Sequence, residues 1–171
     1  MSAGKVNRPL QTLTRTDDRT ASGGALAARA IQELWFATLR KPWRSLVLVP
    51  TSPGSSALPL AQALAQFGSL LRKRPVKILN AEGMGLQEIA ELTMELEFGN
   101  SAAPDNPDAP RCLIVIEPIF TNPLATAVAL AADAVLLCVD YGESNLDVAR
   151  QTIEQIGPER FIGCVALKPR R

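Results

Sequence analysis

Apolar positions along the chain alternate between helical stripes and short continuous runs. From Ala25 to Arg40, Ala27, Ile31, Leu34 and Thr38 recur at three- and four-residue spacing, Trp35, Phe36 and Leu39 widen the face, and Pro42 ends the pattern. This predicts an amphipathic helix. The pattern then predicts a strand at Ser45 to Pro50, a helix at Leu58 to Leu71, a strand at Val76 to Asn80 and a helix at Leu86 to Leu96. It continues with a strand at Cys112 to Glu117, a short helix around Leu124 to Ala131, a strand at Ala134 to Asp140, a helix at Ser144 to Ile156 and a strand at Phe161 to Leu167. Such alternation predicts an α/β fold of three α-β-α layers with a mostly parallel sheet. The unbroken apolar runs Leu113 to Ile116 and Ala134 to Val139 mark central strands, buried on both faces. Residues 1–24 lack apolar periodicity and read as a flexible N-terminal segment, leaving 25–171 as a single domain. Phe98 to Arg111, with Gly99, Asn100, Pro104, Asn106, Pro107 and Pro110, reads as a loop in which disorder is expected.

Composition narrows the function classes. With 171 residues, 47% of them hydrophobic, the chain can bury a substantial core on its own. A formal charge of +1, and basic residues without interleaved aromatics, argue against nucleic-acid binding. No apolar run approaches the roughly 20 residues that span a bilayer, and the first 19 residues are too polar for a signal sequence, so a cytoplasmic location is expected. There is no histidine. Cys112, Cys138 and Cys164 are odd in number, lack a C-x-x-C pair and lie in apolar runs, which predicts small buried thiols and no metal site.

The stretch most suggestive of chemistry is Thr51-Ser52-Pro53-Gly54-Ser55-Ser56-Ala57, a Gly/Ser/Pro loop between an apolar strand and an Ala/Leu-rich helix. Strand, phosphate loop and helix follow one another in this way in P-loop proteins, where a lysine reaches the β and γ phosphates and a hydroxyl holds magnesium. With Gly54 taken as the glycine of a Pro-Gly-x-x-Lys loop, Ala57 and Leu58 stand at the lysine and hydroxyl positions. Neither can contact phosphate or metal. Thr51, Ser52, Gly54, Ser55 and Ser56 therefore have two readings: a polar loop that caps the next helix, or a vestigial site for an anion or nucleotide at a helix N-terminus. Glu117 ends a strand, where α/β folds place working groups, and either holds a metal, with Glu82 as a second acidic candidate, or is solvated or paired with a nearby Arg or Lys. Asp140 and Glu143 read as a turn and helix N-cap region, and Arg72-Lys73-Arg74 with Lys77 as a solvated helix end or a contact for an acidic partner. Trp35 and Phe36, off the main stripe, are either partner-interface anchors or packed on the sheet.

Residues from about Ala30 to Lys168 resemble the cytoplasmic domain of bacterial tyrosine kinases and the related polysaccharide co-polymerase ATPases, in the deviant-Walker P-loop class that includes MinD and ParA. The resemblance is carried by Glu33-Leu34 with Leu39-Arg40, by Arg44 to Val49 followed by Thr51-Ser52-Pro53-Gly54, and by Val76 to Glu82. Cys112 to Pro118 is similar to the Walker B strand, and Ala132 to Val139 with Ile162 to Lys168 to the closing strands. The departures gather at the nucleotide site: Ala57 and Leu58 for lysine and hydroxyl, Asn80 and Glu82 for two aspartates, Glu117 for the Walker B aspartate, Lys168 for the adenine-contacting asparagine. Tyr141 is the sole tyrosine, and no tyrosine cluster follows the last strand as it does in relatives that autophosphorylate. The resemblance thus implies a catalytically degenerate kinase- or ATPase-like protein, a regulatory or scaffold subunit in exopolysaccharide or capsular polysaccharide biosynthesis and export. Implied partners are a membrane-embedded polysaccharide co-polymerase or other synthesis-machinery protein, which would hold the chain peripherally at the inner membrane, or a second copy of the chain. No cofactor is expected, with weak ATP or magnesium binding left open. The alternatives are an unorthodox nucleotide-dependent enzyme or switch using Glu82 and Glu117, and a positioning adaptor of the MinD/ParA type.

Overall fold

A computed structural model of the chain describes residues 18–99, 102–142 and 145–167. Five parallel strands, β1 (Ser45–Pro50), β2 (Val76–Asn80), β3 (Arg111–Val115), β4 (Ala134–Asp140) and β5 (Phe161–Leu167), form one sheet in the order β2-β3-β1-β4-β5. Helices α1 (Asp18–Thr38) and α2 (Leu58–Arg72) cover one face, where Trp35, Leu60 and Leu64 meet Leu46, Leu48, Leu113 and Leu136. On the other face α3 (Leu86–Phe98), α4 (Ala125–Ala131) and α5 (Leu146–Ile156) bring Ile89, Leu92, Val128, Ala149 and Ile156 against Val47, Val49, Ile114, Val135 and Leu137. The architecture is the expected three-layer α-β-α, P-loop-like fold. The partition of helices follows from handedness: the β1-to-β2 connection runs toward one edge and the later ones run the opposite way, so right-handed crossovers place α2 on the face opposite to α3, α4 and α5.

The central positions match the apolar runs. All six residues of β1 are buried, and β3 and β4, its neighbours, carry the other continuous runs. β2 and β5 are edge strands with mixed exposure. Edge position corrects one expectation: Cys138 is buried and Cys112 half-buried, but Cys164 on β5 is exposed.

Element bounds shift at several places. α1 starts at Asp18, seven residues before the predicted start, because Gly23 and Gly24 lower helix propensity by about 1 kcal/mol each without forbidding the helix. β3 stops at Val115 instead of Glu117: the Ile116 N–H still reaches Leu48 O at 3.4 Å, but Pro118 has no N–H to continue the ladder. α5 is capped by Asn145, whose side chain accepts from the Asp147 N–H, and Asp140 is a buried strand end rather than part of the cap, with the expected turn following at Tyr141-Gly142. Glu143, Ser144, Asn100, Lys168 with the basic residues after it, and residues 1–17 lie outside the described residues.

Nor is the proline-rich loop loose over 102–110. Arg72 Nη2 donates to Pro107 O at 3.0 Å and Ala109 O at 2.7 Å, Arg74 Nη1 to Asp108 O at 3.0 Å, and Arg44 Nη1 to Ala102 O at 2.8 Å. The basic cluster after α2 therefore tethers this loop and is not simply a solvated helix end. Trp35 is a second correction. It is fully buried, its indole meets Trp43 edge-on at 6.0 Å, and a Cβ at Gly68 of α2 would collide with it. Phe36, one position on, points elsewhere because consecutive helical residues diverge by about 100°; it is 55% exposed and pairs edge-on with Phe67 of α2 at 6.2 Å.

Candidate functional site

The loop after β1 turns toward α2 on one face and the loop after β3 toward α4 on the other, so the carboxyl ends of these adjacent strands form the topological switch point, where α/β folds bind ligands. The fold brings Thr51 to Ala57, Glu82, Glu117 and Asp140 to this edge. Register aligns Asn80 with Val115, so Glu82 and Glu117 each lie two residues beyond a paired position on neighbouring strands.

The loop's polar groups turn largely inward. Thr51 and Ser52 are buried, and the Thr51 N–H donates to Cys138 O at 3.1 Å. The Ser55 N–H donates back to Ser52 O at 3.1 Å across a turn that Gly54 permits with φ of +76°. Ser56 Oγ accepts from the Leu58 N–H at 3.2 Å, and Pro59 has no N–H at all. A phosphate cradle needs such amides aimed at the ligand. Here two bond within the loop, another bonds β4, and a proline removes a fourth donor, which favours a self-bonded polar loop over a phosphate cradle; the N-cap of α2 is Ala57, which makes no side-chain cap bond. Ala57, at the lysine position, is fully enclosed with Leu60, Ala61 and Leu64.

Glu117 is held by neither Arg nor Lys among the described residues; Asn122 Nδ2 donates to its Oε2 at 2.8 Å. The Asn122 Oδ1 in turn accepts from the Leu124 N–H at 3.1 Å, and the Asn122 N–H donates to Pro118 O at 3.0 Å. The carboxylate thus fastens the turn that starts α4. Among the described residues no group of three or more His, Cys, Asp or Glu side chains is arranged to hold a metal. The thiols are poor nucleophiles: burial pushes Cys112 up to about 11 and raises Cys138 further, far from the thiolate range needed at neutral pH. No described helix is long and apolar enough to cross a membrane.

One clamp escaped sequence reasoning. Arg44, preceding β1, grips Asp133, preceding β4: Nη2 to Oδ1 at 2.8 Å and Nε to Oδ2 at 3.0 Å, while Oδ2 also accepts from the Arg44 N–H at 2.8 Å and the Ser45 N–H at 3.2 Å. Both residues stand in motifs quoted for the resemblance, but nothing local signals a pair 89 positions apart. No protein-family model and no curated protein matches the chain.

Proposed function

We propose that this chain is a P-loop-like protein without nucleotide chemistry, acting by contact as a regulatory or scaffold subunit of an exopolysaccharide or capsular polysaccharide synthesis and export system. The observation that carries the loss of chemistry is Ala57, enclosed in the core where a working loop needs a lysine. The polysaccharide setting rests on the resemblance. The proposed partner is a membrane-embedded component of that machinery, with the exposed Phe36 beside Phe67 as a contact point on the α1–α2 face.

Millimolar Mg-ATP should leave the melting temperature within about 1 °C of the unliganded value. A ligand at a hundred times its Kd adds about 2.7 kcal/mol, which for a domain of this size moves the midpoint by roughly 5 to 10 °C. A shift of that size would overturn the proposal.

A second reading, a nucleotide-dependent switch using Glu82 and Glu117, is favoured by their places on neighbouring strand ends. Complementation of a deletion strain by Glu117→Gln separates the two. The amide keeps an oxygen for Asn122, so the turn should survive while the charge is lost, and polymer yield close to wild type is expected. Loss of polymer with a well-folded variant would move the switch to first place.

A further inference from the structure

The two edges of the sheet are guarded differently. An edge strand offers unpaired N–H and C=O groups to any other strand, and proteins blunt such edges with Lys, Pro, a bulge or a covering element. β2 follows Pro75 and carries Lys77. β5 has neither guard: its seven residues, Phe161 to Leu167, include no charge and no proline, and Gly163, Cys164 and Ala166 are exposed. The one irregularity, where Val135 pairs with Phe161 and Leu136 with Gly163, disturbs only the start of the strand and leaves Gly163 to Leu167 regular.

The ladder with β4 fixes which groups are left over. Leu167 O accepts from the Tyr141 N–H at 2.7 Å, so Leu167 and, by alternation, Val165 turn their backbone groups toward β4, whereas those of Cys164 and Ala166 point outward. Among the described residues nothing bonds these outward groups. The side chains divide in the same way. Val165 and Leu167 pack on the α1–α2 side, and Cys164 and Ala166, aligned with Leu137 and Val139, stand exposed on the other.

We propose that β5 pairs antiparallel with β5 of a second copy of this chain, about a two-fold axis at Val165. This register sets Cys164 opposite Ala166 of the other copy, so outward groups meet outward groups and each such pair exchanges both of its N–H to C=O bonds. It also keeps like faces together: Gly163 lies opposite Leu167, a bare position against a large side chain, and Val165 opposite Val165, a β-branched pair. Charge favours the second copy over other strands, because β5 meeting itself opposes no charges, whereas a charged strand would find nothing on β5 to pair with. The two-fold contact is isologous and closed, and the Lys77 edges left at the ends of the joined sheet do not propagate it. The interface is separate from the α1–α2 face and independent of the polysaccharide reading.

Sedimentation equilibrium of the full chain tests the pairing. A monomer–dimer equilibrium with a Kd on the order of tens of micromolar is expected, since two short strands bury less than a standard interface. Ala166→Pro removes an outward N–H that the ladder with β4 does not use, so the fold should survive, as read by circular dichroism, while dimerisation weakens at least about tenfold through the lost bonds. If that variant fails to fold, Ala166→Lys, which gives β5 the guard that β2 carries, decides in its place. Phe36→Ala should leave the dimer unchanged. In a Cys164→Ser background, Val165→Cys should cross-link the dimer on mild oxidation, because the facing Cα atoms of a non-hydrogen-bonded pair lie about 4.5 Å apart, within disulfide reach. The proposal is overturned if the chain stays monomeric at about ten times the expected Kd, if the folded Ala166 variants dimerise like wild type, if Phe36→Ala abolishes the dimer, or if a dimer forms that Val165→Cys does not cross-link.

Discussion

Trp35→Ala should remove about 3 to 5 kcal/mol of stability, the range for truncating a buried aromatic, whereas Phe36→Ala should cost under about 1 kcal/mol. Trp35 is enclosed between Trp43 and the bare backbone at Gly68, so its loss leaves a cavity between α1 and α2 that rigid neighbours cannot fill. A control separates packing from polarity. The Trp35 Nε1 has no hydrogen-bond partner among the described residues, and an unsatisfied buried donor costs about 1 to 3 kcal/mol. Trp35→Phe keeps most of the ring and removes that donor, so it should be milder than Trp35→Ala by about 2 kcal/mol or more. Urea denaturation at constant m-value reads both. A wild-type midpoint for Trp35→Ala would favour the interface reading of the side chain over the packed one.

Asp133→Asn should cost about 2 to 4 kcal/mol. Breaking a buried pair by removing one partner costs about 3 to 5 kcal/mol, and the value is lowered here because both side chains keep 17 to 18% of their exposure. The same pair makes a pH prediction. Burial by itself would raise the Asp133 carboxyl, but hydrogen bonds from the Arg44 side chain and from the Arg44 and Ser45 amides, with the Arg44 charge, outweigh it and hold the group below its ordinary value. A carboxyl depressed in the folded state stabilises the protein above its unfolded pKa of about 3.9, and that contribution is lost as pH falls through the lower folded value. Urea midpoints of the wild type should therefore fall more steeply on acidification below about pH 4 than those of Asp133→Asn. Parallel curves would mean that the clamp contributes nothing to acid stability.

The candidate site was legible in the sequence to the extent that chemistry depends on residue identity. Ala57 and Leu58 cannot do what a lysine and a hydroxyl do, whatever the fold. How the loop disposes of its donors was not legible, because a Ser or Thr hydroxyl can cap, turn or face a ligand with equal ease. Glu117 shows the same limit: its partner, Asn122, is five residues away across Pro118, but the turn that joins them exists only once α4 packs on the sheet.

By itself the sequence determined the succession of strands and helices, the three-layer class, the central places of β3 and β4, and the lack of a lysine and a hydroxyl at Ala57 and Leu58. These are written locally, in apolar period, in unbroken runs and in the identity of single residues. Only the tertiary structure decided the order β2-β3-β1-β4-β5, the exposure of Cys164 on an edge, the inward turn of Trp35 and outward turn of Phe36, and the pairing of Arg44 with Asp133. Each depends on which distant segment arrives alongside, and apolar period records that a face is buried without recording against what.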